Sequence, residues 1–355
     1  MWGDIAIAFV LAFITSYVLV PYSMRLAKKI RAVDVPSERR INKVEMPRLG
    51  GLAIIAGFFI SMIYLLISME LENKTALDGY HWKIIGLFLG LTIIALIGFI
   101  DDWKGVHPLL KLLGQSVAAV VVMCFGITIG DFNIPVLNHF IELNGILDYI
   151  LTWLWIVGIT NAINLTDGLD GLSSGITLIA CISLLIIFAS NGSPIISIIL
   201  ITALAGGIIG FLPFNYNPAK TYMGDSGSNF LGFSIAIISI LGVAKTYTVI
   251  VIVAPLIVLG LPILDTTFAI IRRIIKGKSI KAVFQADRGH LHHKLIDYGY
   301  SQKESVLILY GIATTLGMFA IILLESGIWK AISFALLIIA IFAMGYKDLL
   351  KKNKN

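Results

Sequence analysis

Two adjacent carboxylates stand in GFIDDWKG at 98–105, where a long apolar run meets its first charged residues. Asp101 and Asp102 repel one another unless a cation, a proton or a basic neighbour such as Lys104 compensates. A pair of this kind can hold a metal or serve as a general base. A second constellation is NAINLTDGLDGLSSG at 161–175. Asn161 and Asn164 are three apart, as are Asp167 and Asp170, and on a helix each pair shares one face. Gly168, Gly171 and Gly175 permit close backbone approach. A helix beginning here would favour bound phosphate, yet the carboxylates repel phosphate unless a divalent cation intervenes. The combination predicts a metal–diphosphate substrate.

Three further segments carry chemistry. In FNYNPAKTYMGDSGSNFLG at 214–232, Asp225 follows Gly224, and Ser226, Gly227 and Ser228 offer backbone N–H donors at the start of a helix. Asp225 is the first candidate for a metal ligand. Tyr222 and Phe214 are placed to stack on a nucleobase, although aromatic anchors at a membrane interface have the same signature. In QADRGHLHHK at 285–294, His290, His292 and His293 crowd beside Arg288 and Lys294, a cluster suited to gripping phosphate oxygens. A zinc site is the competing reading, but no Cys is placed to complete it. In ERRINKVEMPRLGG at 38–51, Arg39, Arg40, Lys43 and Arg48 can meet phosphates, but for each alone topogenic charge is the favoured explanation.

The elements that must position these residues are membrane spans. The chain has 355 residues, 58% hydrophobic and 14% charged, with mean hydropathy +0.92. A soluble chain carries roughly 25% charged residues, so most of this surface faces lipid. The net charge of +6 lies in short basic blocks between apolar runs, which is membrane topology and requires no nucleic acid. Crossing the hydrocarbon core takes about 20 apolar residues. Eleven runs qualify, at about 4–25, 50–69, 83–100, 109–129, 146–163, 172–190, 194–213, 228–244, 247–271, 305–324 and 329–346, or ten if one of the close pairs near 190 or 245 merges. The expected fold is a single all-α polytopic membrane domain over 1–355.

Placing the N-terminus outside puts segments 25–48, 101–111, 164–171, 214–227, 272–303 and the tail 347–355 in the cytoplasm. Of 27 Lys and Arg, 23 then lie on that side, which satisfies the positive-inside rule. With Asp4 and no basic leader, the first span reads as a retained anchor. In this frame Asp101, Asp102, Asn161, Asn164, Asp167, Asp170, Asp225 and Asp265 all lie at cytoplasmic helix mouths, where ionisable groups are costly and usually functional.

DDWK, NAINLTDGLDGL, YMGDSGS and HLHH, in this order on the loops of a multispanning chain, resemble the polyprenyl-phosphate N-acetylhexosamine-1-phosphate transferases over Pro47 to Lys294. The interrupted HLHH, LPILDTTFAIIRR at 261–273 and MPRLGGLAI at 46–54 resemble the WecA/TagO branch rather than the muramyl-pentapeptide branch, which has three contiguous histidines. The resemblance implies transfer of GlcNAc-1-phosphate from UDP-GlcNAc to undecaprenyl phosphate with release of UMP. It implies a bacterial plasma membrane, a first step toward teichoic acid or another cell-surface glycan, and Mg²⁺, with Mn²⁺ as an alternative. Asp225 and Asn164 are then the metal ligands, and Asp101, Asp102, Asp167 and Asp170 the catalytic acids. Lys43, Asn161, Tyr222, Asp265, Arg288, His290, His292 and His293 contact substrate. A homodimer is compatible with the family. A secondary transporter is the rival from another class, but it would place its acids near the bilayer midplane and often show an inverted repeat.

Overall fold

The computed structural model describes residues 2–36, 44–71, 79–130, 132–134, 139–141, 145–243, 249–277, 279 and 289–339. The architecture is helical. In chain order the helices are α1 (Trp2–Ile30), α2 (Gly51–Leu71), α3 (His81–Lys104), α4 (Pro108–Cys124), α5 (Ile146–Thr166), α6 (Leu172–Ser190), α7 (Ile195–Asn215), α8 (Gly224–Val243), α9 (Val249–Val258), α10 (Gly260–Gly277), α11 (Leu291–Asp297), α12 (Gln302–Ser326) and α13 (Ile328–Ile339). Two small antiparallel ribbons interrupt them, β1 (Val33–Asp34) with β2 (Met46–Pro47) and β3 (Phe132–Ile134) with β4 (His139–Ile141).

Among the described residues, eight helices are long and apolar enough to cross a membrane. In lipid a helix satisfies every backbone polar group internally, which is why apolar runs of this length fold this way. The chain is a multi-pass membrane protein. Ten of the eleven expected runs coincide with single helices over their described residues, α4 being a short one, and residues 340–346 of the last run lie outside the described residues. The run at 247–271 is a correction: it is divided, α9 ending at Val258 and α10 starting at Gly260. Pro262 has no N–H to donate to the carbonyl of Val258, and Gly260 is a poor helix former, so the two residues weaken the helix at one place.

The centre of the bundle is α8, whose apolar stretch is 94% buried, against 22% for α1 at the edge. Burial without a lipid–water gradient relies on close packing, and small residues provide it. A Cβ on Gly232 of α8 would lie 2.7 Å from the Cα of Thr160 on α5, and one on Gly98 of α3 would collide with the backbone of Ser226. The helices α3, α5 and α8 are thereby drawn together, and the acids at their ends with them.

Candidate active site

The site forms where α3 and α5 end and α4 and α8 begin. Gly105, at φ 73°, stops α3 directly after the acid pair, and Pro108 at the first position of α4 restarts the chain with His107 capping Leu109 N. Asp101 and Asp102 sit a helical step apart and face different partners. Asp102 is buried, and its two oxygens accept the backbone N–H groups of Asp225 and Ser226, each at 2.8 Å. It caps α8 as an N-cap residue would, from another helix. Gly224, at φ 74°, makes room for this: a Cβ there would strike the Asp102 carboxylate and the carbonyl of Arg48.

Asp101 faces outward. Its Oδ1 accepts Val106 N at 2.8 Å and its Oδ2 meets Lys111 Nζ at 3.1 Å. Lys111, in the first turn of α4, also bonds Asn164 Oδ1 at 3.3 Å and pairs with Asp225 Oδ1. The same Asp225 oxygen accepts Asn164 Nδ2 at 2.7 Å, while Oδ2 meets the guanidinium of Arg48 at 3.1 Å. Arg48 arrives from β2: Tyr222 N donates to Pro47 O at 2.8 Å and Gly50 N to Tyr222 O at 3.0 Å, which fastens MPRLGG to YMGDSGS. Loss of hydration opposes the charge of Arg48, but Asp102, Asp225 and Asp34 outweigh it and hold the guanidinium above its usual pKa.

Of these groups Arg48, Asn164 and Asp225 line a cavity of about 340 Å³, together with Asp34, Asp167, Asp170, Tyr222, Ser228, His293 and Gln302, among others. Asp167 and Asp170 lie in the turn between α5 and α6, so the expectation that they share a helix face is corrected. Desolvation, then the charges of Asp225 and Asp102, push the Asp167 carboxyl up to about 8, a shift that a bound divalent cation would reverse. Asp170 accepts Asn217 Nδ2 at 2.9 Å and Ala219 N at 3.1 Å and so ties this turn to the loop after α7.

The histidines divide in two. Asp265 on α10 accepts His290 Nδ1 at 2.8 Å and Leu291 N at 2.9 Å, which anchors the start of α11. His290 and His292 are buried, and His293 lines the cavity. His292 packs against Gly168 with its ring 4.2 Å from that of His293. Burial, then the neighbouring His293 and His290, push its pKa down to about 3. Asn161 does not line the cavity; its amide bonds Gln115 and the carbonyl of Val157. Lys43 and Arg288 lie outside the described residues.

Residues 84–243 match the family described as glycosyl transferase family 4. The chain is 40% identical over 338 residues to a probable undecaprenyl-phosphate N-acetylglucosaminyl 1-phosphate transferase of Bacillus subtilis, covering 95% of this chain and 90% of that one. The chain belongs to glycosyl transferase family 4. A decaprenyl-phosphate N-acetylglucosaminephosphotransferase of Mycobacterium tuberculosis is 33% identical, covering 84% of this chain and 77% of its own. A phospho-N-acetylmuramoyl-pentapeptide-transferase of Listeria monocytogenes is 32% identical, covering 86% and 93%.

In this family 4 member the matched stretch runs from α3 to α8 and holds Asp101, Lys111, Asn164, Asp167, Asp170 and Asp225, whereas Arg48 and the histidines join from either side. Sequence reasoning offered the wrong cation beside the acid pair and missed Lys111. Lys104, offered as the neighbour of the acid pair, lies over the ring of Trp103 at 4.3 Å, and Lys111 and Arg48 take that place. The signal for Lys111 was present, since it is the one charged residue in the apolar helix α4. Asp34 and Gln302, also on the cavity wall, stand in segments whose composition sets them apart in no way.

Proposed function

We propose that this protein transfers GlcNAc-1-phosphate from UDP-GlcNAc to undecaprenyl phosphate, giving undecaprenyl-diphosphate-GlcNAc and UMP. The observation that carries the reading is the hydrogen-bonded cluster of Asp101, Lys111, Asn164 and Asp225, of which Asn164 and Asp225 line one cavity together with further acids and a histidine. The relatives named above supply the sugar and the lipid. An oxygen of the lipid phosphate attacks the sugar-linked phosphorus, and the bond to the bridging diphosphate oxygen breaks, leaving with UMP. Such transfers are governed by alignment and charge neutralisation.

Among the described residues no group of three or more His, Cys, Asp and Glu is gathered to cage a metal. This donor set fits Mg²⁺, which is usually held by one or two carboxylates plus substrate phosphates and retained water. Asp225 and the amide oxygen of Asn164 would hold it. When bound, Mg²⁺ would neutralise the diphosphate of the donor. Asp101 orients the acceptor phosphate or takes its proton, Arg48 brings positive charge to the cavity wall, and Lys111 brings it to Asp101 and Asp225 beside that wall. Tyr222 offers a face for the base, and His293, backed by His292 and His290, meets the diphosphate or sugar.

The lipid chain has a place to lie. An apolar groove of about 200 Å³ runs between α5, α9 and α10, lined by Leu154, Trp155, Gly158, Ala162, Leu256, Ile263 and Ile270. The loop charges support a site on the cytoplasmic face of a bacterial plasma membrane, where the product would prime teichoic acid or another cell-surface glycan. The test is UMP release by purified protein with Mg²⁺ and undecaprenyl phosphate, given UDP-GlcNAc or UDP-MurNAc-pentapeptide side by side. Release with the first is expected. Release with the second alone would move the protein to the muramyl branch.

A further inference from the structure

One turn below the ion cluster, a second polar layer joins the same three helices. On α4, Gln115 lies four residues after Lys111; on α5, Asn161 lies three before Asn164; on α8, Asn229 lies four after Asp225. At these spacings each amide shares a helix face with its partner in the site. Because α4 and α8 begin at the site and α5 ends there, each amide is the deeper of the two.

The amides interlock. Asn161 Nδ2 donates to Gln115 Oε1 at 2.7 Å, and Gln115 Nε2 donates to Asn229 Oδ1 at 2.9 Å. Both ends are pinned to backbone, Asn161 Nδ2 to Val157 O at 2.8 Å and Asn229 Nδ2 to Asp225 O at 2.6 Å. Gln115 and Asn229 are buried, and none of the three amides lines the cavity. The last bond closes the argument, because it runs to the backbone of the residue proposed to hold the cation.

Burying an amide costs free energy unless it is bonded. In this layer a helix turned by one residue would leave two or more amide groups bare, so one register of α4, α5 and α8 satisfies it. Polar residues fix register in coiled coils by the same logic. An apolar layer would pack as well but would let the helices slide, and the Lys111, Asn164 and Asp225 atoms meet only at hydrogen-bond distance.

We propose that Gln115, Asn161 and Asn229 form a positioning layer that sets the rotation and depth of α4, α5 and α8 so that Lys111, Asn164 and Asp225 meet. The inference rests on the reading that Asp225 and Asn164 hold the cation, and it assigns the three amides no contact with substrate.

The test uses purified full-length protein and two readouts. One is Mn²⁺ binding without substrates, measured by electron paramagnetic resonance. The other is the Mg²⁺ concentration for half-maximal UMP release. Gln115→Leu and Asn229→Leu should each raise both constants about tenfold and leave KM for undecaprenyl phosphate unchanged. The double variant should be no worse than the poorer single, since the two act through one bond. Should Gln115→Leu fail to fold, Gln115→Met and Asn229→Leu read the same constants. The proposal is overturned if the variants lower the melting temperature yet keep wild-type Mn²⁺ and Mg²⁺ constants, or if the two losses add. Wild-type protein that releases no UMP would remove the proposed reaction, while the Mn²⁺ measurement still tests the layer.

Discussion

Asp102 accepts the backbone N–H of Asp225 at 2.8 Å, and its second oxygen takes Ser226 N, so one acid of the adjacent pair builds the helix end that carries the proposed metal ligand. The pair that reads as a single motif therefore splits into a frame residue and a working residue. Asp102→Asn sets an amide N–H against a backbone N–H and loses a charge-assisted bond, a cost of about 2 kcal/mol for a buried group. Its melting temperature in detergent should fall measurably, with turnover falling alongside. Asp101→Asn should keep the wild-type melting temperature and lose about 10²-fold or more in kcat, the usual scale for a displaced acid–base group. An Asp101→Asn enzyme that turns over normally would end this division of labour.

Lys111 touches Asp101, Asn164 and Asp225 together, and Arg48 touches Asp102 and Asp225. Removing Lys111 leaves clustered carboxylates short of one cation where charge must be neutralised for reaction. Lys111→Met is expected to lower kcat by about 10²- to 10³-fold, the scale found for losing one electrostatic contact to a transition state. Lys111→Arg keeps the charge but not the compact ammonium and should recover part of that loss. Rates of UMP release at saturating donor decide the matter, and equal activity in the Met and Arg variants would contradict it.

The membrane helices and the acids at their ends are legible in the sequence because both depend on short-range pattern: an apolar run sets a span, and a carboxylate stands where it stops. What separates Asp101 from Asp102 is a 100° turn about α3, which matters only once α8 is in place. Arg48 reaches Asp225 across 177 positions and Lys111 across 114, so no local spacing pairs them. The break between α9 and α10 was written in Gly260 and Pro262 but hidden by the hydrophobicity around it. The role of Asn161 was hidden for the opposite reason: it shares a helix face with Asn164, yet its partner is on α4.

His292 is buried with its Nε2 bonded to no described group, and its pKa is pushed down to about 3. The folded protein thus holds this imidazole neutral, while an unfolded chain protonates it near the ordinary value of about 6.5. A depressed folded pKa gives stability that is complete above about pH 6.5 and is lost as pH falls toward 3, because the unfolded state binds the proton first. Between pH 6.5 and 5 the loss should approach about 2 kcal/mol, at about 1.4 per pH unit. Asp265, His290 and His293 face the same ring and are themselves ionisable side chains, so the comparison is with His292→Gln. The acid-side slope of melting temperature against pH should be shallower in the variant. Parallel curves would mean that His292 titrates normally.

The groove between α5, α9 and α10 is the last element with a specific consequence. Gly158 lies on its wall, and a Cβ built there meets nothing within 4 Å, so a larger side chain can enter the groove without disturbing the helix packing. Gly158→Phe should therefore fold, keep the wild-type KM for the nucleotide sugar, and raise KM for undecaprenyl phosphate by about tenfold, since each displaced methylene forfeits about 0.8 kcal/mol of burial. A polyprenyl phosphate of only two or three isoprene units should lose much less. The contrast between long and short acceptors is the decisive measurement, because a general distortion of the site would slow both equally. If the long acceptor binds Gly158→Phe as it binds the wild type, the chain lies elsewhere on the bundle.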